Sequence, residues 1–237
     1  MAAKASRTPL SRERVLAAAV ALADMEGIQA LTMRRLAAAL DVEAMSLYYH
    51  LPAKEALLDG VAEAVIAEIA AAADHVDTDD GWRVRLRQRF LAARQVMLGH
   101  PWAPGLLHSR TTVPAGVHAY YDGIIGTLVG AGFSYHLAHR ALHALGSLPL
   151  GFAQEVFSPA SAGGSIEVDT AETDMSAMAA TLPHLTAMVA AELHDLTDPA
   201  LGWCDSQTEF EFTLDLLFDG LERLHDQPRN REEFGCR

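Results

Sequence analysis

The segment Ala44-Met45-Ser46-Leu47-Tyr48-Tyr49-His50 carries side chains suited to contact with nucleic acid. The Ser46 hydroxyl can hydrogen-bond a base edge or a phosphate, Ala44 or Met45 can pack on a thymine methyl, and the Tyr48 hydroxyl can reach a phosphate. Arg34 and Lys54 flank the segment with positive charge. Each stands near the start of a candidate helix, where unpaired backbone N–H groups also favour an anion. The chemistry suits contact with double-stranded DNA but is not diagnostic of it. Tyr49 and His50 are open to a second use, Tyr49 as a core residue and His50 as a local cap.

Side chains that read a groove need a rigid element to present them. Ser11 caps a first helix in which Val15, Leu16, Ala19, Val20, Leu22 and Ala23 recur at helical spacing until Glu26-Gly27 stops it. Thr32 caps a second, with Leu36, Ala37 and Leu40 on its buried side, and the chain turns within Asp41-Val42-Glu43 into a short helix over 44–50. Asp41 stands where the turn needs a left-handed residue, which Asp tolerates better than most. Val42 and Leu47 supply the contacts that lock the angle. After Pro52, residues 54–73 predict a long fourth helix striped with Leu57, Leu58, Val61, Val65 and Ile69. Helices are then expected over 82–98, 102–108, 114–131, 134–157, 174–194 and 209–225, with 158–173 as a mobile loop. No segment alternates as a strand. The predicted fold is all-α: a three-helix helix-turn-helix head over 1–60, joined to a larger helical ligand-binding and dimerisation body over 61–237.

A chain of 237 residues exceeds what a DNA-binding module needs, so a second task is encoded. Its formal charge of -13 is unevenly placed. Through Gly60 there are seven basic and seven acidic residues, which leaves 11 basic and 24 acidic residues in the remainder. Lys4, Arg7, Arg12 and Arg14 form a small basic arm, while the acidic body discourages wrapping by DNA. Cys204 and Cys236 lie far apart and fit a reduced cytoplasm. The longest apolar stretches, such as 124–133, are too short for a bilayer. A cytoplasmic protein with no membrane partner is expected.

In the body, Trp82, Trp102, His108, His118, Tyr120, Tyr121, Ile124, His139 and Phe152 are available to enclose a flat or aromatic ligand, although any one alone fits a core or surface role better. His136, His139 and His143 share a helical face, but no Cys or carboxylate joins them at ligand spacing, and no metal site is expected. There is no glycine-rich phosphate loop, nucleophile elbow or paired metal motif, so an enzyme is not expected. The helices over 134–157 and 209–225 are dimer candidates through Ala138, Ala141, Leu142 and Leu145, and through Phe210, Leu214, Leu217, Phe218 and Leu221. Internal core is the alternative for both. Two short reading helices, one per chain, would reach successive major grooves.

The stretch Leu31-Thr32-Met33-Arg34-Arg35-Leu36-Ala37, then Val42-Glu43, Leu47-Tyr48-Tyr49-His50 and Lys54-Glu55-Ala56-Leu57-Leu58-Asp59, closely resembles the tetracycline-repressor family. The resemblance implies a homodimeric repressor that binds palindromic operator DNA through the head and is released by a small, aromatic effector held in the body. Its DNA contacts would fall on Arg34, Ala44, Met45, Ser46, Tyr48, Tyr49, His50 and Lys54. Met33, Asp41, Ala44 and Met45 depart from the tetracycline repressor's residues, which implies a different operator. In the body, His108, Thr111, Gly132-Phe133-Ser134, Leu150-Gly151 and Glu155 are similar to that repressor's inducer domain. The implied ligand residues are Trp102, His108, Thr111, Ile124, Phe152 and Glu155, Ile124 standing where a glutamine contacts the drug. No cofactor is implied, magnesium entering only as part of a chelated effector. An activator, or a body that binds a protein partner, is the alternative.

Overall fold

A computed structural model of the chain describes residues 9–73, 81–152, 179–192 and 206–227. Among these every regular element is helical. The chain divides into two compact units, Met1–Gly132 and Phe133–Arg237.

The first unit begins with α1 (Arg12–Glu26), whose start is fixed by the Ser11 hydroxyl accepting the Arg14 backbone N–H at 3.2 Å. Gly27, at φ +81°, ends it in a conformation that L side chains rarely adopt. After a 3₁₀ turn (Ile28–Ala30), the Thr32 hydroxyl caps α2 (Met33–Leu40) by accepting from the Arg35 N–H at 3.2 Å. Asp41 does take the left-handed conformation, at φ 52° and ψ 49°, so the chain reverses into α3 (Ala44–Tyr48). This helix is two residues shorter than the expected 44–50. Tyr49 and His50 continue as a turn, because Leu51 precedes Pro52 and its backbone is biased away from the helical region.

Leu47 and Leu51 fill a core with Val15, Leu16, Ala19, Leu22, Leu36 and Ala37. Two later elements close it: α4 (Lys54–Ala73) contributes Leu57, Val61 and Ala62, and α6 (Ala103–Ser109) contributes Leu106. Gly60 faces α1, where an added Cβ would come within 2.7 Å of the Leu16 side chain, so the close approach of α4 uses the missing side chain. The farther turns of α4, with Val65, Ile66 and Ile69 buried, pack on α5 (Trp82–Gly99) and α7 (Ala115–Gly130).

The second unit holds α8 (Tyr135–Gly146), α9 (Leu148–Phe152), α10 (Pro183–Glu192) and α11 (Ser206–His225). The single helix expected over 134–157 is interrupted at Ser147. Pro149 has no N–H to continue the ladder and its ring excludes the preceding helical carbonyl, so it sits in the first turn of a new helix instead. Pro183 does the same within the helix expected over 174–194, where Leu182 is non-helical. The loop expected over 158–173 lies outside the described residues.

On α11, Phe210, Leu214, Phe218 and Leu221 recur at helical spacing and are buried, and on α8 so are Leu137, Ala138, Ala141 and Leu145. These stripes pack the two helices of one chain together. The proposed dimer residues therefore separate: most are internal core, while Leu142 and Leu217 stay half-buried. Phe212 and Leu216, about 58% and 54% exposed, lie on the opposite face of α11.

The left-handed Asp41 yields a stability test. Asp41→Gly is expected to be neutral or stabilising by up to about 1 kcal/mol, and Asp41→Val destabilising by about 1–2 kcal/mol, since a β-branched residue clashes in this region. Urea denaturation of the two variants measures the difference.

Candidate nucleic-acid interface

The short α3 presents the residues singled out for DNA contact, and the structure separates their roles. Leu47 is fully buried and fixes the helix to the head. Met45 is 70% exposed and Tyr49 89% exposed, so Tyr49 is not a core residue. Tyr48 is also exposed, while Ala44, Ser46 and His50 are half-buried at the helix margins. Arg34 on α2 and Lys54 at the start of α4 point to solvent. The neighbouring Arg35 is engaged by Glu26 across the end of α1. One short surface thus combines apolar, hydroxyl and cationic groups, the mixture that base edges and phosphates require.

The residues expected to meet an effector are distributed differently. His108 and Thr111 are exposed at the end of α6 and in the following turn. Ile124 is fully buried in α7. The Trp102 indole N–H donates to Asp24 Oδ1 at 2.8 Å, tying the start of α6 to α1. Phe152 belongs to the second unit, where its ring meets Phe210 edge-on at 5.3 Å. Glu155 lies outside the described residues. His139 and His143 face one another along α8, and no group of three metal-ligating side chains occurs among the described residues.

Two polar links in the first unit were not legible in the sequence. His100, 8% exposed at the end of α5, places Nδ1 2.7 Å from Asp24 of α1 and Nε2 3.1 Å from Glu68 of α4. Burial by itself lowers the imidazole pKa. The hydrogen bonds to Asp24 and Glu68, with the charges behind them, outweigh it and hold His100 above its usual value. Arg110, between α6 and α7, reaches Glu55 at 2.9 Å and Asp59 at 3.3 Å in the first turns of α4. It lies between His108 and Thr111 in sequence, so the turn that carries those residues is fastened to the end of α4 that closes the head. These partners are 32 to 76 residues apart, and no local spacing marks them.

Residues 15–61 match the family described as bacterial regulatory proteins, tetR family. Residues 76–225 match the tetracyclin repressor-like, C-terminal domain. An HTH-type transcriptional regulator of Saccharopolyspora erythraea is 34% identical over 132 residues, a match that spans 55% of this chain and about half, 55%, of that relative. The class C tetracycline repressor protein of Escherichia coli is 29% identical over 215 residues, covering 91% of this chain and 92% of that protein. The crystal structure of a possible TetR family transcriptional regulator from Streptomyces coelicolor A3(2) aligns at a TM-score of 0.71 and 32% identity, over 90% of this chain and 100% of that one.

The His100 link carries a sign. A histidine whose folded pKa is raised contributes stability that is fully present below the unfolded value, about 6.5, and lost as pH rises through the folded value. The stability deficit of His100→Gln relative to wild type is therefore expected to be larger near pH 6 than near pH 8.5. Thermal unfolding at both pH values checks this, and a deficit independent of pH would show that the cationic form contributes nothing.

Proposed function

The chain belongs to the TetR family of transcription regulators, DNA-binding proteins and not enzymes, and from that premise we propose that it is a repressor that binds palindromic operator DNA as a homodimer and lets go when a small aromatic molecule occupies its body. The observation that carries this reading is the α3 surface: Leu47 pins the helix while Met45, Tyr48 and Tyr49 project from it. An enzyme would have no need of exposed apolar and phenolic side chains on so short an element.

A second copy of the chain is the occupant that best fits the outer face of α11. Phe212 and Leu216 expose large apolar groups on one side of a helix whose other side is already packed, and a two-fold arrangement of α8 and α11 would cover them in a four-helix bundle. Effector coupling is a matter of linkage: a ligand weakens DNA binding only by preferring a conformation in which the heads are wrongly placed. Among the described residues, α4 suits transmission, because its first turns close the head core and its later turns pack on α5 and α7. An effector that displaces the His108–Thr111 turn would pull on Glu55 and Asp59 through Arg110.

For DNA, Lys54→Ala and Tyr48→Ala are expected to weaken specific and nonspecific binding together, with the salt slope falling by about one for a lost phosphate contact. Met45→Ala with Ser46→Ala should change base preference by about 1–3 kcal/mol at the contacted positions. Mobility shifts across operator variants measure both, and unchanged specificity in the double variant would remove α3 as the reading element.

For assembly, Leu216→Glu is expected to give a folded monomer, whereas Leu214→Glu should unfold the second unit because it buries an unpaired charge. Light scattering with circular dichroism separates these outcomes. A wild-type monomer at micromolar concentration would refute the dimer.

A further inference from the structure

The helix α5 carries Arg83, Arg85, Arg87, Arg89 and Arg94 and no acidic residue, in a body that is otherwise strongly acidic. Arg89 is half-buried, with its guanidinium 5.5 Å above the centre of the Tyr120 ring on α7. It donates a long hydrogen bond, 3.4 Å, to the Tyr120 backbone carbonyl. It meets no carboxylate among the described residues. A Cβ at Gly123, one turn along α7, would collide with the guanidinium, so this glycine leaves the room that Arg89 occupies. Beneath the cation, the Tyr120 hydroxyl is buried and has no hydrogen-bond partner among the described residues. Burial holds that phenol protonated well above its ordinary pKa, so it is a donor at any physiological pH.

A buried donor without an acceptor among the described residues is costly unless something else completes it, and a half-buried cation that meets no carboxylate among them lies against it on the facing helix. We propose that Arg89 and Tyr120 form a subsite for the oxyanion of an organic acid, a carboxylate or ionised enol on an aromatic effector. The Tyr120 O–H donates to one oxygen and the Arg89 guanidinium pairs with the charge. The Tyr121 ring lies beside that of Tyr120, tilted by 51° with its centre 6.2 Å away, so the subsite is bordered by aromatic surface. This rests on the effector reading above and adds to it a charge: the effector is an anion, and Arg89 and Tyr120, in addition to His108 and Thr111, select it.

The test uses the full-length protein, without DNA, and 2-naphthoate as probe against its neutral isostere 2-naphthamide in calorimetric titrations. Naphthoate is expected to bind at least about tenfold more tightly than the amide, the margin of a charge-assisted hydrogen bond. Arg89→Gln should abolish that margin, and Tyr120→Phe should weaken naphthoate binding about three- to tenfold. Because the Tyr120 hydroxyl has no partner among the described residues, Tyr120→Phe should keep or raise the melting temperature, whereas a merely structural hydroxyl would lower it. Equal affinity for acid and amide, no binding of either at about 1 mM, or naphthoate binding unchanged in both variants would overturn the subsite. A parallel mobility shift keeps the two ideas apart: Arg89-dependent binding without DNA release overturns the induction reading and leaves the subsite standing.

Discussion

Closure of the head core by α4 is the constraint on which the rest of the first unit depends. Val15, Leu36 and Leu47 of the three preceding helices are fully buried in one core with Leu57, Val61 and Ala62 from α4 and Leu106 from α6. Full burial of one such aliphatic side chain contributes about 1.5–3 kcal/mol, a large share of the few kcal/mol by which a small domain is stable. Gly60 serves the same closure by letting the α4 backbone come close to Leu16. The helix that completes the head is therefore also the helix whose next turns, through Val65, Ile66 and Ile69, are committed to α5 and α7.

Polar contacts follow that shared helix. His100 spans from Asp24 on α1 to Glu68 on α4, and Trp102 shares the same Asp24 oxygen as His100. Arg110 joins the turn after α6 to the opposite end of α4. Most of the carboxylates involved are substantially exposed, so the strength of each pair is limited by solvent screening. These contacts tie α4 to α1 and the end of α5 near one end, and to the turn after α6 near the other.

Much of the fold was legible because local rules and tertiary packing agree. Ser11, Thr32, Gly27 and Asp41 each act within three or four residues of themselves, through a cap or a left-handed turn, and each was placed correctly from residue type. The two helices read as continuous, and in fact broken at Ser147 and Leu182, failed on a local rule that was available: Pro149 and Pro183 cannot continue a ladder, and apolar periodicity on either side concealed it. The short α3 lost its last two residues for the same kind of reason, Pro52 restricting Leu51.

By itself the sequence determined the class of elements, the turn between α2 and α3, and the identity of the side chains that α3 projects, because these depend on neighbours one helical turn away. Only the tertiary structure decided which face of each helix is used. Phe210 and Leu214 share α11 with Phe212 and Leu216, yet the first pair is internal core and the second faces outward. Tyr120 and Ile124 share α7, yet the Tyr120 hydroxyl is buried without a partner among the described residues, while the Ile124 side chain is wholly enclosed. Asp24, Glu68 and His100 are unremarkable in isolation and meet because three helices cross there. An amphipathic pattern fixes that a helix has a buried side; where several sides are apolar, the choice among them is made by the shape of the helix packed against it.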